Sequence, residues 1–163
     1  MAVPAHLIIS IGKRKFDSLL SDLRWLVSPD HTPFLMTAFG NLFLRDRMDG
    51  VYFLDLMSGE FTQVAASNGE FERLCDDREM RKKWFLSFLL IELRKLQGDL
   101  ASGECYSCKI PLSLGGQLEP ENFERVDLEV HYSVLGQVHQ QTKNLPLGTR
   151  IEHVKIVSEK PRQ

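Results

Sequence analysis

Apolar side chains recur along this chain with two different periods, and the change of period divides it into elements. Phe16, Leu19, Leu20, Leu23, Leu26 and Val27 fall at i, i+3, i+4, i+7, i+10 and i+11, while Asp17, Ser21, Asp22 and Arg24 fall elsewhere. That spacing predicts a helix from about Lys13 to Val27. Pro29 and Pro33 end it, because each lacks an amide donor and restricts the residue before it. Short extended runs follow at Phe34 to Ala38, Asn41 to Asp46, Val51 to Leu56 and Glu60 to Ala65. Asp49-Gly50 and Ser58-Gly59 separate the last three, so the runs predict an antiparallel meander. Ser67 and Glu70 form a capping-box pair, which opens a short helix over about Asn68 to Leu74. A longer helix is predicted from about Arg78 to Gln97, with Gly98 as its terminator. Trp84, Phe85, Leu86, Phe88, Leu89, Leu90, Ile91, Leu93 and Leu96 surround so much of it that it should lie in the centre of the domain.

The last third mixes the two periods. Cys105 to Pro111 reads as extended, Leu114-Gly115-Gly116 as a turn, and Asn122 to Val126 as a short helical turn. Val126, Leu128, Val130 and Tyr132 alternate like a strand, whereas Val130, Val134 and Val138 repeat like a helix. A short extended start followed by a helix to about Lys143 accommodates both. Ile151 to Val157 reads as a final strand, and residues 158–163 as a frayed tail. Together these elements predict a mixed α/β fold of the α+β class in one domain. A central, mostly antiparallel sheet would pack with an N-terminal helix, a long central helix and a C-terminal helix.

Composition narrows the function. Apolar residues make up 43 % and charged residues 26 %, so the chain can fill a core and is not of the disordered class. The formal net charge of −2 carries none of the basic excess of a general nucleic-acid binder, and no direct nucleic-acid partner is expected. The most apolar run, Trp84 to Leu93, already contains Glu92 and is about half the length a membrane span needs. At the N-terminus, Lys13, Arg14 and Lys15 follow the short apolar run Leu7 to Ile11 instead of preceding it, unlike a secretory signal. Three cysteines, an odd and low count, suit a reducing compartment, so the expected location is the cytoplasm.

No candidate for bond-making chemistry gathers a full set. Cys105-Tyr106-Ser107-Cys108 has the gap of a zinc half-site or redox pair. Cys75 stands alone, however, and His131 and His139 are eight apart, outside the usual ligand spacing. On a strand, Cys105 and Cys108 would point to opposite faces. Gly115-Gly116 and Gly148 lack the Lys-Ser/Thr of a phosphate loop and fit turns instead. Asp46, Asp49, Asp55 and Glu60 could suggest a metal-dependent nuclease, but Asp is expected at such turns anyway. His131, His139 and His153 are scattered and read as structural or exposed. Arg78, Arg81, Lys82 and Lys83 crowd the start of the long helix, where cations oppose the dipole. They read as a solvated mixed-charge turn, or else as a contact for an acidic partner. No catalytic residue, metal ligand or cofactor is expected.

Several short segments resemble a known family in their order and spacing. These are Phe39-Gly40-Asn41-Leu42-Phe43-Leu44, Gly50 to Leu56, Glu70-Phe71, Gly103-Glu104-Cys105-Tyr106 and Lys109-Ile110-Pro111. They continue with Leu114-Gly115-Gly116, Glu121-Asn122, Val126-Asp127, Val130-His131, Gln137-Val138-His139 and Leu145-Pro146-Leu147-Gly148-Thr149. Together they resemble the C-terminal domain of immunity proteins that protect bacteria from DNase effectors of the type VI secretion system. The likeness runs from Phe39 to Val157. In that family a GAD-like domain often precedes this one. Here residues 1–38 form only a helical lead-in, so the resemblance implies that the preceding domain is absent or much reduced.

The resemblance implies a cytoplasmic antitoxin that binds a cognate effector, a nuclease toxin, and occludes its active site. Nuclease clefts attract phosphates and tend to be basic. An inhibitor should then present carboxylates, whose field steers association. Asp46 and Asp49 at the first hairpin, with Glu119, Glu121 and Glu124 beyond the glycine turn, are the candidate partner-binding residues. Two other readings compete with this one: a protein-interaction or regulatory module of similar fold with no toxin partner, and an unrecognised metal-binding enzyme.

Overall fold

A computed structural model describes residues 3–10 and 12–158. The expected frayed tail, 158–163, lies outside the described residues except for Ser158. The elements run β1 (Ile8–Ile9), α1 (Lys13–Leu19), β2 (Thr32–Thr37), β3 (Leu42–Arg45), β4 (Val51–Asp55) and β5 (Glu60–Ala65). They continue α2 (Asn68–Asp76), α3 (Arg78–Phe85), α4 (Ser87–Gln97), β6 (Glu104–Cys108), β7 (Phe123–Asp127) and α5 (Leu128–Thr142). Strands β1 to β5 form one antiparallel sheet in sequence order, and β6 pairs with β7 in a second, two-stranded sheet. This is the α+β class the pattern predicts.

The centre of the large sheet is buried on both faces, which explains why Leu42-Phe43-Leu44 of β3 reads as an apolar run. Leu35, Phe43, Val51 and Phe53 face one core together with Phe71, Trp84, Phe85, Leu90 and Leu93 of α2, α3 and α4. Met36, Leu42, Leu44 and Leu54 face the other, against Leu19, Leu20, Leu23, Tyr132 and Leu135. The alternation of strand side chains assigns each residue to its face. Phe43 is the hub of the first core: its ring centroid lies 4.6 Å from Phe53, 4.8 Å from Phe71 and 5.3 Å from Trp84.

Several expectations need correction. The N-terminal helix is α-helical only to Leu19, and Leu20–Leu23 tightens into a 3-10 turn that still buries Leu20 and Leu23. The predicted long helix is two helices. Leu86 between them adopts φ 47° and ψ 47°; its amide bonds the Lys82 carbonyl, and its carbonyl receives the Leu90 amide. The break lets Trp84, Phe85, Leu90 and Leu93 all reach the sheet, while Phe88, Ile91 and Leu96 remain exposed, so this segment is not central throughout. It also changes the electrostatic reading for two of the four residues of the basic cluster. Lys82 and Lys83 occupy the last turn of α3, where cations are favourable.

Residues 123–127 form strand β7 and no helical turn lies there. Their ladder with β6 and the Arg125–Glu104 ion pair at 3.0 Å outweigh local preference. The predicted extended start at Leu128 is already helix, capped by Asp127, whose carboxylate accepts from the amides of Glu129 and Val130. Finally, Ile151 to Val157 joins no sheet. Side-chain amides of α5 pair with its backbone in place of a neighbouring strand.

Candidate partner-binding surface

The turns β2–β3 and β4–β5 lie at the same end of the meander, and α5 runs across that end. Gly40 and Gly59 sit in those turns with φ of 79° and 75°. Each carries a buried histidine ring of α5 where a side chain would otherwise be. A Cβ on Gly40 would stand 2.8 Å from His131 Nε2, and one on Gly59 would stand 2.6 Å from His139 Nδ1. Eight residues of helix advance about 12 Å, close to the roughly 10 Å spanned by two strand spacings. The histidine spacing that is wrong for a zinc site is therefore right for two neighbouring hairpins.

Hydrogen bonds fix the arrangement. His139 Nε2 donates to the Leu56 carbonyl at 2.5 Å, since a carbonyl can only accept, and this sets its tautomer. The Tyr132 hydroxyl donates to the Gly40 carbonyl at 2.5 Å. His131 Nδ1 meets Ser107 Oγ of β6 at 2.7 Å, and the Tyr106 amide donates to the Ala38 carbonyl at 3.0 Å, which ties the small sheet to the large one. Burial pushes the His131 imidazole down to about 4, against a smaller opposite push from the Phe39 backbone. His131 and His139 are structural, while His153 is exposed.

Beside this platform lies an open groove of about 740 Å³, lined by Trp25, Gly59, Glu60, His139, Lys143 and the 145–149 segment. Lys143 Nζ lies 4.9 Å over the Trp25 ring, and Leu147 at its rim is fully exposed. Nothing in the apolar pattern pointed to this groove, because irregular segments build half of it.

The five candidate acids fall into two groups. Asp46 Oδ1 accepts from the amides of Met48 and Gly50, both at 2.8 Å. Burial pushes its carboxyl up, but these amides and the Tyr52 hydroxyl outweigh that and hold it below the usual range. Asp49, with φ 69°, accepts from the Asn68 amide at 3.0 Å and pairs with Arg45 at 3.5 Å. Both acids are therefore pinned by the hairpin they help to make. Glu119, Glu121 and Glu124 are exposed on the β6–β7 hairpin. Asn122 clamps that loop, its side chain bonding Ile110 twice and the Gln117 carbonyl once, all at 2.9 Å. The groups flank opposite ends of β3: Asp46 and Asp49 follow Arg45, whereas β6 and β7 dock at the β2–β3 turn. The fold does not bring the five together.

The cysteines are protonated thiols at neutral pH. Burial pushes Cys75 and Cys108 each up to about 11, and raises Cys105 further. Among the described residues, no three His, Cys, Asp or Glu side chains converge to hold a metal ion. Nor is any helix among them long and apolar enough to cross a membrane.

The fold and these surfaces define an α+β protein with a rigid hairpin platform and pinned, outward-facing acids. Residues 65–139 match the family model described as "T6SS immunity protein Tdi1, C-terminal". The matched stretch starts at the end of β5, contains α2 to α4 and both strands of the small sheet, and ends on His139. The family likeness read from the sequence is thus shown over those residues. No curated protein matches the chain. Among solved structures, the chain is similar to one described as the crystal structure of Atu4351 from Agrobacterium tumefaciens, with a TM-score of 0.54 at 19 % identity. The likeness covers 78 % of this chain and 65 % of that one, so this chain spans less than two thirds of the other's length. At that identity the likeness is one of fold.

Proposed function

We propose that this chain is an immunity protein that binds a cognate type VI secretion effector in the cytoplasm and neutralises it by covering its active site, with no catalytic step of its own. The observation that carries the reading is the match of residues 65–139 to an immunity-protein family. The effector is read as a nuclease because the accessible acids suit a basic, phosphate-attracting cleft. Residues 39–157 are read as the immunity-type unit, within one domain over 1–163, and residues 1–38 as its helical lead-in.

Co-expression with a cognate effector tests the class: growth rescue and a stable complex are expected, and unrescued toxicity with no complex refutes it. The acids need charge-only substitutions, because Asp46 and Asp49 also hold their hairpin. Asp46→Asn with Asp49→Asn keeps a carbonyl oxygen for each amide and tolerates the left-handed backbone at position 49. Glu119→Gln, Glu121→Gln and Glu124→Gln treat the second group in the same way. Because the groups flank opposite ends of β3, one set is expected to slow association by about tenfold or more at low salt and the other far less. Unchanged association in both sets would discard the acids as the contact.

A further inference from the structure

One face of α5 holds an extended stretch of the chain through its main chain. Gln141 donates from Nε2 to the Lys155 carbonyl at 2.8 Å and accepts the Lys155 amide on Oε1 at 3.1 Å. Gln137, one turn earlier, does the same for Val157, at 3.1 Å to its carbonyl and 2.8 Å from its amide. The four residues from Gln137 to Gln141 advance about 6 Å along the helix and two extended residues about 6.6 Å, so the two registers coincide. Each glutamine acts as the peptide group of an adjacent strand would. The four bonds read no side chain, and any extended segment with amide donors at the two matching positions satisfies them.

The chain's own segment underfills this face. A groove of about 300 Å³ remains beside it, lined by Val130, Ser133, Val134, Ile156 and Val157 among others. Val130 and Val157 are each 55 % exposed although they line the same groove. Ile156 lines the same groove and is itself 39 % exposed, so a larger apolar side chain in its place has room to occupy that space.

We propose that this face of α5 is a docking site for an extended segment of a partner protein, and that residues 154–158 are an internal occupant the partner displaces. The partner segment has free amides two residues apart and a bulky apolar residue between them. This goes beyond the immunity reading and rests on it only for the partner's identity, the cognate effector. Displacement lowers the apparent affinity in proportion to the fraction of molecules whose site is open.

The test uses the full-length chain and a fluorescent peptide with the sequence of residues 153–158 carrying Ile156→Phe. Lys155→Pro with Val157→Pro removes the two amide donors of the internal segment and leaves α5 untouched. That variant should bind the peptide about tenfold or more tighter than the unaltered chain. Adding Gln137→Leu and Gln141→Leu should abolish binding. Excess peptide should also compete with the effector for the chain. With unchanged thermal unfolding, failure of the proline variant to bind at about 1 mM peptide overturns the site. Binding without competition overturns the assignment of the partner. Concentration-dependent dimerisation of the unaltered chain, lost with the two leucine substitutions, would make a second copy the occupant and overturn it too. Growth rescue is scored separately, so failure of the immunity reading would show there and not in the peptide titration.

Discussion

The fit of histidine rings on hairpin glycines makes a quantitative prediction at Gly59→Ala. A residue other than glycine at φ 75° costs about 1 kcal/mol in backbone strain. The new methyl would stand 2.6 Å from His139 Nδ1 and 2.7 Å from Cγ, well inside contact distance. The ring cannot swing away freely, because Nε2 is bonded to the Leu56 carbonyl at 2.5 Å and the side chain is buried. Forcing it from its rotamer costs about 1–3 kcal/mol, and losing the hydrogen bond about 1 kcal/mol more. The total is about 3–5 kcal/mol. In a His139→Ala background the clash is gone, and the same substitution should cost only the backbone strain, about 1 kcal/mol. The coupling between the sites is then about 2 kcal/mol or more. Urea unfolding of the four proteins of the cycle, analysed by linear extrapolation, measures it. Gly69→Ala is the control: it lies in the first turn of α2 with nothing near its Cβ, and should be neutral or stabilising by about 0.5–1 kcal/mol. Costs of Gly59→Ala that agree in the two backgrounds to within about 0.5 kcal/mol would refute the packing argument.

Other expectations are independent of that cycle. His131 is held at about 4 when folded, against about 6.5 when unfolded, so the unfolded chain binds more protons between those values. Its contribution is present above pH 6.5 and lost as pH falls toward 4, by about 3 kcal/mol; His131→Asn should flatten that slope in urea titrations across pH. The three thiols should alkylate at least about 100-fold more slowly at pH 7.5 in the folded chain than in urea, as timed mass spectrometry would show; a fast cysteine would contradict the burial argument. Asp46→Asn should leave the urea midpoint nearly unchanged, whereas Asp46→Ala, which strands the Met48 and Gly50 amides, should cost about 1–3 kcal/mol. Equal effects would mean that charge, and not acceptance of those amides, holds the turn.

What was legible in the sequence was whatever its local periods decide. The meander from Phe34 to Ala65 and the capped helix at Asn68 follow from alternation, turn glycines and the Ser67–Glu70 pair, and the structure has each. The break at Leu86 carries no such mark. A leucine in a left-handed conformation has no local reason to be there, and only the need to seat Trp84 and Leu90 on the same sheet accounts for it. Strand β7 was hidden for a related reason. Glu124, Arg125 and Asp127 give it a polar sequence, and its partner β6 lies a long loop away, so its ladder depends on a contact that no short window contains.

The surface follows the same division. The acids could be named from composition and turns, but where they stand relative to one another depends on the docking of β6 at the β2–β3 turn, through Tyr106 and Ala38. The two histidines looked unrelated in sequence because their spacing was compared with metal ligation. Their real counterparts are two glycines, Gly40 and Gly59, which have no side chain and so leave no chemical signature. Gln137 and Gln141 bind main chain, which every sequence contains, so no residue pattern in the segment they hold could have announced them. Both contacts set a side chain of α5 against bare backbone. A surface built that way is specified by geometry, and the variants that test it must therefore change backbone, through alanine at Gly59 or proline at Lys155 and Val157.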